Sequence, residues 1–143
     1  MYNGGMKTAL ALLLVVSPAA IACDWTVTKE VDQMTDAQTC QIHSPSARIS
    51  LFVRGDNITF GTGSAYRRGR DALSVRVDDN KAITFGRSYS TKSYFAPDSE
   101  PARQAISEIR SGSRLRTRFS DYPDNQEGDA AICNLPELID SCL

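Results

Sequence analysis

The chain is poor in the residues on which most small catalytic and metal sites depend. It has one histidine, His43, and four cysteines without a C-x-x-C pair among its 143 residues. A structural zinc site uses about four closely spaced nitrogen or sulfur ligands, so this composition argues against one. The sequence also contains no G-x-S-x-G and no S-x-x-K motif, the signatures of common serine nucleophiles. We therefore expect no metal and no cofactor.

An excess of positive charge is missing as well. Sixteen basic and 17 acidic residues give a formal net charge of −1, whereas nucleic-acid-binding domains are usually strongly basic. We expect no nucleic-acid partner.

The longest apolar run, Ala9 to Val16, is too short to cross a bilayer, which takes about 20 apolar residues. The sequence shows no internal repeat and no low-complexity tract.

The apolar run has the layout of a secretory signal peptide. It follows Lys7, ends at Ser17 and Pro18, and precedes Ala20 and Ala22 at the small-residue spacing of a cleavage site. We predict a signal peptide over residues 1–22 and a single β-rich domain over residues 23–143. The mature domain is then periplasmic or secreted.

Two points about the leader stay open. Either Met1 or Met6 is the start of translation. Cys23 directly follows the predicted cleavage site, which is where bacterial lipoproteins carry their lipid. The alternative localisation is therefore a lipoprotein anchored through Cys23, and only this form would associate with a membrane.

Four cysteines in an exported chain predict two disulfide bonds. They are Cys23, Cys40, Cys133 and Cys142. Three pairings are possible, and the sequence alone does not select one. The short separations favour Cys23–Cys40 with Cys133–Cys142, whereas a pairing that ties the two ends together, such as Cys40–Cys133, is the alternative.

Alternating apolar and polar residues predict a mainly β fold, an antiparallel sandwich or a barrel-like sheet. The predicted strands and hairpins cover residues 24–30, 39–42, 49–60, 73–85 and 115–119. One helix is predicted near residues 99–111, where Ala102, Ala105, Ile106 and Ile109 form an apolar stripe. Residues 121–129 are predicted to form an acidic loop, and residues 135–140 a single helical turn.

Several short motifs resemble the invasion-associated locus B family of exported bacterial proteins. They are Asp24 to Val27, Cys40 to Ile42, Leu73 to Asp78 and Ser111 to Leu115. The chain departs from the family in lacking its mid-chain cysteine pair and in carrying a pair of its own, Cys133 and Cys142. The resemblance implies a periplasmic or surface β-rich domain without known catalysis, and it transfers no catalytic residue.

A cluster of arginines is the best candidate for a binding site. Side chains alternate along a strand, so Arg114, Arg116 and Arg118 share one face. With Arg67 and Arg68 nearby, they could bind lipid phosphate, a sulfated or acidic glycan, or an acidic protein patch. The alternative is a solvated surface whose charge is balanced by neighbouring carboxylates.

Two other constellations have weaker support. The segment with Asp121, Asp124, Asn125, Glu127 and Asp129 is rich in the oxygen ligands that calcium prefers, but its spacing is not that of an EF-hand. His43 lies close to Ser44 and Ser46 in sequence, yet neighbours on an extended chain point apart and make a poor nucleophile–base pair.

These observations favour an exported, non-catalytic binding or interaction module. The partner is expected to be an acidic envelope component or another protein. The alternatives are a small periplasmic hydrolase acting on envelope glycans and a secreted enzyme inhibitor, the latter because small disulfide-bonded β domains often have that role.

Overall fold

The computed structural model describes residues 23–62, 73–85, 94–95, 100–121 and 124–143. This part of the chain forms nine strands and two helices, in agreement with the predicted β-rich class. The strands are β1 Thr26–Val31, β2 Gln38–Ser44, β3 Ile49–Arg54, β4 Asn57–Gly61, β5 Leu73–Val77, β6 Ile83–Phe85, β7 Tyr94–Phe95, β8 Arg114–Asp121 and β9 Asp124–Ala131. The helices are α1 Glu100–Ser111 and α2 Leu135–Asp140.

The strands form two antiparallel sheets in a sandwich-like arrangement. The first sheet has the order β1-β2-β3-β4-β7 and the second has the order β6-β5-β8-β9. The turn between β3 and β4 contains Gly55, whose φ of +57° carries no Cβ penalty in glycine. One hydrophobic core includes side chains from both sheets and both helices, so the second sheet buries one face and leaves the other outside.

Helix α1 begins and ends close to the predicted bounds. Its stripe of Ala102, Ala105 and Ile109 is buried, and the helix packs against β5 and β6. Gly112 follows the helix directly. A Cβ at this position would collide with the Val77 side chain, so the close passage of the chain over β5 requires glycine here.

The prediction of an acidic loop over residues 121–129 is wrong. Strand β9 runs from Asp124 to Ala131 and pairs with β8 along its whole length, from Asp121↔Asp124 to Arg114↔Ala131. The segment lacks the usual strand formers, but ladder hydrogen bonds and pairing with the arginines of β8 outweigh this low propensity.

The disulfide pairing favoured by short separation is also wrong. The bonds are Cys23–Cys133 and Cys40–Cys142, with Cα–Cα distances of 6.0 and 5.9 Å. The first bond connects the residues just before β1 to the segment before α2, and the second connects β2 to the residues just after α2. The Cys40–Cys142 bond is buried, whereas Cys23 and Cys133 are exposed. Sequence separation is a poor guide here because the fold brings the two ends of the domain together.

A hydrogen-bond network anchors the start of the domain. The Asp24 carboxylate accepts bonds from Ser44 Oγ (2.5 Å), Ser46 Oγ (2.6 Å) and Ser46 N (3.0 Å). The indole of the next residue, Trp25, donates to the Ala131 carbonyl at 2.8 Å. These contacts and the Cys23–Cys133 bond fix the first residues against the β2–β3 turn and the end of β9.

The same β2–β3 turn connects the two sheets. The buried Thr117 hydroxyl of β8 donates to the Ala47 carbonyl at 2.5 Å, and the Asp129 amide of β9 donates to the Ser46 carbonyl at 2.9 Å. A Cβ on Gly128 would overlap the backbone of Ala47. Glycine at position 128 therefore allows the turn to lie directly on the second sheet.

We expect acid to weaken the domain partly through Asp24. Partial burial by itself raises the pKa of this carboxyl, but the bonds from Ser44 and Ser46 outweigh burial and leave the pKa below its ordinary value of 3.8. A carboxyl whose pKa is lowered by folding stabilises the fold above its unfolded pKa, and this contribution is lost as the pH falls through the folded value.

The test compares urea unfolding of the wild type and Asp24→Asn from about pH 6 down to about pH 2.5. Asp24→Asn should cost roughly 1–3 kcal/mol at neutral pH, because bonds to a charged acceptor are lost. Its stability should also fall less steeply in acid. Asp56→Asn, in the exposed β3–β4 turn, is the control. An unchanged acid slope in Asp24→Asn would contradict the assignment.

Candidate anion-binding site

The outward face of the second sheet carries the three candidate arginines that lie within the described residues. Leu115, Thr117 and Phe119 of β8 are buried, so the residues that alternate with them point outward. These are Arg114, Arg116 and Arg118. The neighbouring strands present Arg76 on β5 and the carboxylates Glu127 and Asp129 on β9.

The central feature of this face is a pair of like charges. Arg76 of β5 lies directly opposite Arg116 of β8 in the antiparallel register. Like charges in directly opposite positions destabilise a sheet. Arg116 also faces Asp129 on its other side, but that carboxylate forms its hydrogen bonds with Arg114.

The turn after β5 orients both guanidinium groups. Arg76 Nε donates to the Asn80 carbonyl at 2.8 Å and Arg76 Nη2 to the Asp79 carbonyl at 3.4 Å. Arg116 Nη2 donates to the Asp78 carbonyl at 2.8 Å. Arg116 Nε is buried without a hydrogen-bond partner in the described part of the chain. Neutral carbonyls orient these groups without removing their charge.

The other two arginines of β8 are paired with carboxylates. Arg114 forms a two-point contact with Asp129, with 2.8 Å from Nε to Oδ1, and Arg118 Nε lies 2.8 Å from Glu127 Oε1. The hydrogen bond from Arg114 lowers the pKa of Asp129. The Arg118–Glu127 side chains are 68% and 63% exposed, so water screens this pair strongly.

A groove of about 790 Å³ combines residues of this face with the β2–β3 turn and with the core-side positions 75, 117 and 128. It is lined by Pro45, Ser46, Arg48, Ser74, Val75, Arg76, Ala82, Arg116, Thr117, Arg118, Glu127, Gly128 and Asp129. Four arginines against two carboxylates leave this lining with an excess of positive charge. Arg48, on the β2–β3 turn, contacts the Gln126 side chain. The Ser74 hydroxyl lies 2.7 Å from the Thr84 hydroxyl. We call this feature the arginine groove.

The structure brings together three of the predicted site residues and adds two. Arg114, Arg116 and Arg118 share a face, while Arg67 and Arg68 lie outside the described residues. Sequence reasoning missed Arg76 and Arg48 as site residues. The alternation of Ser74, Val75, Arg76 and Val77 contained the signal for Arg76, but only the β5–β8 register places it opposite Arg116.

The oxygen-rich segment that suggested calcium belongs to this face. Glu127 and Asp129 are engaged with Arg118 and Arg114. Within the described ranges, no group of three or more histidine, cysteine, aspartate or glutamate residues is arranged to hold a metal ion. The carboxylates of β9 therefore act as counter-charges to arginine.

The histidine has a serine neighbour that sequence proximity did not indicate. His43 Nδ1 lies 2.9 Å from Ser50 Oγ across the β2–β3 pair, while Ser44 instead donates to Asp24. Ser50 Oγ also accepts a bond from the Gln41 amide at 3.4 Å. The Gln41 amide thus bonds to the serine and not to the imidazole, so among the described residues this arrangement lacks the carboxylate that orients the histidine of a catalytic triad.

Comparisons with protein families, with curated proteins and with solved structures find no match for this chain. No helix among the described residues is long and apolar enough to cross a membrane.

Proposed function

We propose that the protein is an exported binding module, without catalysis, that recognises an anionic group in the arginine groove. The main support for this proposal is the Arg76–Arg116 pair. The two residues are direct partners in the β5–β8 register, and their guanidinium groups donate to backbone carbonyls of the same turn. An anion bound between them relieves their repulsion and gains charge-assisted hydrogen bonds.

The disulfides support export. Bonds of this kind persist in oxidising compartments such as the periplasm or the extracellular space. A Cys23 sulfur bonded to Cys133 cannot also carry a thioether-linked lipid, so we propose the unanchored periplasmic or secreted form. We also propose distant kinship with the invasion-associated locus B family, supported by the motifs from Asp24, Cys40 and Leu73.

Stability gives no adequate reason for so many arginines on this face. Exposed ion pairs such as Arg118–Glu127 contribute about 0–1 kcal/mol, and the Arg76–Arg116 arrangement opposes folding. Such a feature is typical of a functional surface, where local energy is given up for recognition. The partner would be an acidic envelope component or an acidic protein surface.

Retention on a sulfated-dextran matrix tests this function. The wild type should bind at low salt and elute as the salt rises, because ions screen these contacts. Arg76→Gln/Arg116→Gln should elute at clearly lower salt while melting at a similar or higher temperature. Arg54→Gln, which removes one exposed arginine from the other sheet, indicates the effect of bulk charge, and uncharged dextran is the matrix control.

Two results would reject the function. One is failure of the wild type to bind the sulfated matrix. The other is elution of Arg76→Gln/Arg116→Gln at the salt concentration found for the wild type, since the groove would then contribute nothing to retention.

A further inference from the structure

We infer that the arginine groove binds a phosphate monoester carried on a small sugar. This inference rests on the proposed function and narrows it to one chemical class. The decisive features are the excess of positive charge in the lining of the groove, the hydrogen-bond donors left on Arg76 and Arg116, and the polarity of the surrounding walls.

Charge distinguishes between the possible anions. The central pair Arg76–Arg116 carries two positive charges, while Asp129 and Glu127 are already bonded to Arg114 and Arg118. Asp78 lies outside the lining of the groove, and its carboxylate accepts bonds from the Ser113 and Arg114 amides, which hold it in place without neutralising its charge. A phosphate monoester carries about −1.5 to −2 at neutral pH and has three acceptor oxygens. A carboxylate or a sulfate ester carries a single negative charge and neutralises half of the pair.

The donor geometry is suited to a group with several oxygens. An arginine has five N–H donors in a rigid plane. Arg76 uses Nε and Nη2 on the turn after β5, and Arg116 uses Nη2. The Nη1 groups of both side chains have no such bond to that turn. Since these bonds already restrict both side chains, binding costs less side-chain entropy than it would for free arginines.

The walls favour a hydroxyl-rich carrier over an acyl chain. Ser46 and Ser74 line the groove. The Ser74 hydroxyl is joined to Thr84, and the Ser46 hydroxyl donates to Asp24, which leaves the Ser46 oxygen as an acceptor for a ligand hydroxyl. Apolar lining is limited to Pro45, Val75 and Ala82 among the described residues. A volume of about 790 Å³ lies within the range of small-molecule sites, roughly 300–1,000 Å³.

Calorimetry with three ligands built on one sugar ring tests the inference. Glucose 6-phosphate should bind about tenfold more tightly than glucose 6-sulfate or glucuronate at about pH 7.5, because its second charge meets the second guanidinium. The second phosphate pKa is about 6, so lowering the pH to about 5 should bring its affinity down towards that of the sulfate ester. The sulfate ester should show no such fall.

Matched variants locate the effect. Arg76→Gln and Arg116→Gln should each abolish the preference for phosphate over sulfate, and Arg54→Gln should keep it. Far-ultraviolet circular dichroism and the melting temperature show whether each variant is folded. Equal affinity for the three sugar ligands, or a phosphate affinity independent of pH, would overturn the inference.

Two further probes distinguish the source of the phosphate. Inorganic phosphate that binds as well as glucose 6-phosphate would overturn the sugar assignment, as would stronger binding to vesicles containing phosphatidate. If no sugar anion shows a preference but the sulfated matrix still retains the protein through Arg76 and Arg116, the inference fails and the proposed function stands. If the matrix does not retain the protein either, both fail.

Discussion

Removal of the Cys40–Cys142 bond is expected to cost roughly 3–5 kcal/mol of unfolding free energy, because with Cys23–Cys133 intact it still closes a loop of about 26 residues, from Cys40 back to Cys23 and from Cys133 to Cys142. A domain of this kind has only about 5–15 kcal/mol in total, so Cys40→Ala/Cys142→Ala should be partly unfolded at moderate urea concentrations. Both cysteines are also buried, and the substitution leaves a cavity in the core. Urea unfolding of the oxidised proteins, monitored by Trp25 fluorescence, provides the measurement.

The second disulfide is a matched comparison. Cys23→Ala/Cys133→Ala removes a bond with a similar separation of 110 residues but from an exposed position, so it should cost less by the cavity term. Peptide mapping without reduction should recover Cys23 with Cys133 and Cys40 with Cys142. A peptide joining Cys23 to Cys40 would contradict the fold, as would a Cys40→Ala/Cys142→Ala variant as stable as the wild type.

Gly128→Ala is expected to be severely destabilising although it adds only one methyl group. The added Cβ would overlap the carbonyl group of Ala47. The position of the Cβ is fixed by its own backbone, and the carbonyl is itself backbone, so neither can rotate away. The β2–β3 turn would have to lift from the second sheet, which would weaken the Thr117–Ala47 and Asp129–Ser46 bonds. We expect a loss of about 2–4 kcal/mol, as in overpacked cores, measured by urea unfolding.

Gly55→Ala measures the cost of a left-handed backbone conformation without any cost of steric overlap. Gly55 has a φ of +57° but no atom within 4 Å of a built Cβ, so alanine there should cost about 1–2 kcal/mol from the left-handed conformation alone. A Gly128→Ala loss smaller than that of Gly55→Ala would show that the turn does not press on β9 as described.

Local patterns were sufficient to predict most of the elements. Alternation at Leu73, Val75 and Val77 and the stripe along α1 are confirmed, because both patterns reflect which side chains meet the core. Strand β9 was missed since its polar sequence DNQEGDAA is held by its partner β8. The disulfide pairing depends on where the two ends meet, which is a property of the whole topology.

In the candidate site, too, local pattern predicted some features and the pairing of distant segments determined the others. Alternation alone placed Arg114, Arg116 and Arg118 on one face, since this depends only on the two-residue period of a strand. Their counter-charges on β9 and the opposing Arg76 follow from inter-strand register, which a single sequence does not reveal. Arg48 comes from the turn that joins the sheets, and its approach depends on the glycine at position 128.

The overlapping order of the two disulfides has a mechanical consequence. Tension applied between residue 23 and residue 143 passes through the sulfur bridges and the short segments next to them, so residues 41–132 carry none of the force. A single proteolytic cut anywhere between residues 41 and 132 would likewise leave two fragments joined by both bridges. The domain should therefore withstand tension between its ends and a single proteolytic cut while the disulfides are intact. It should lose both properties once they are reduced.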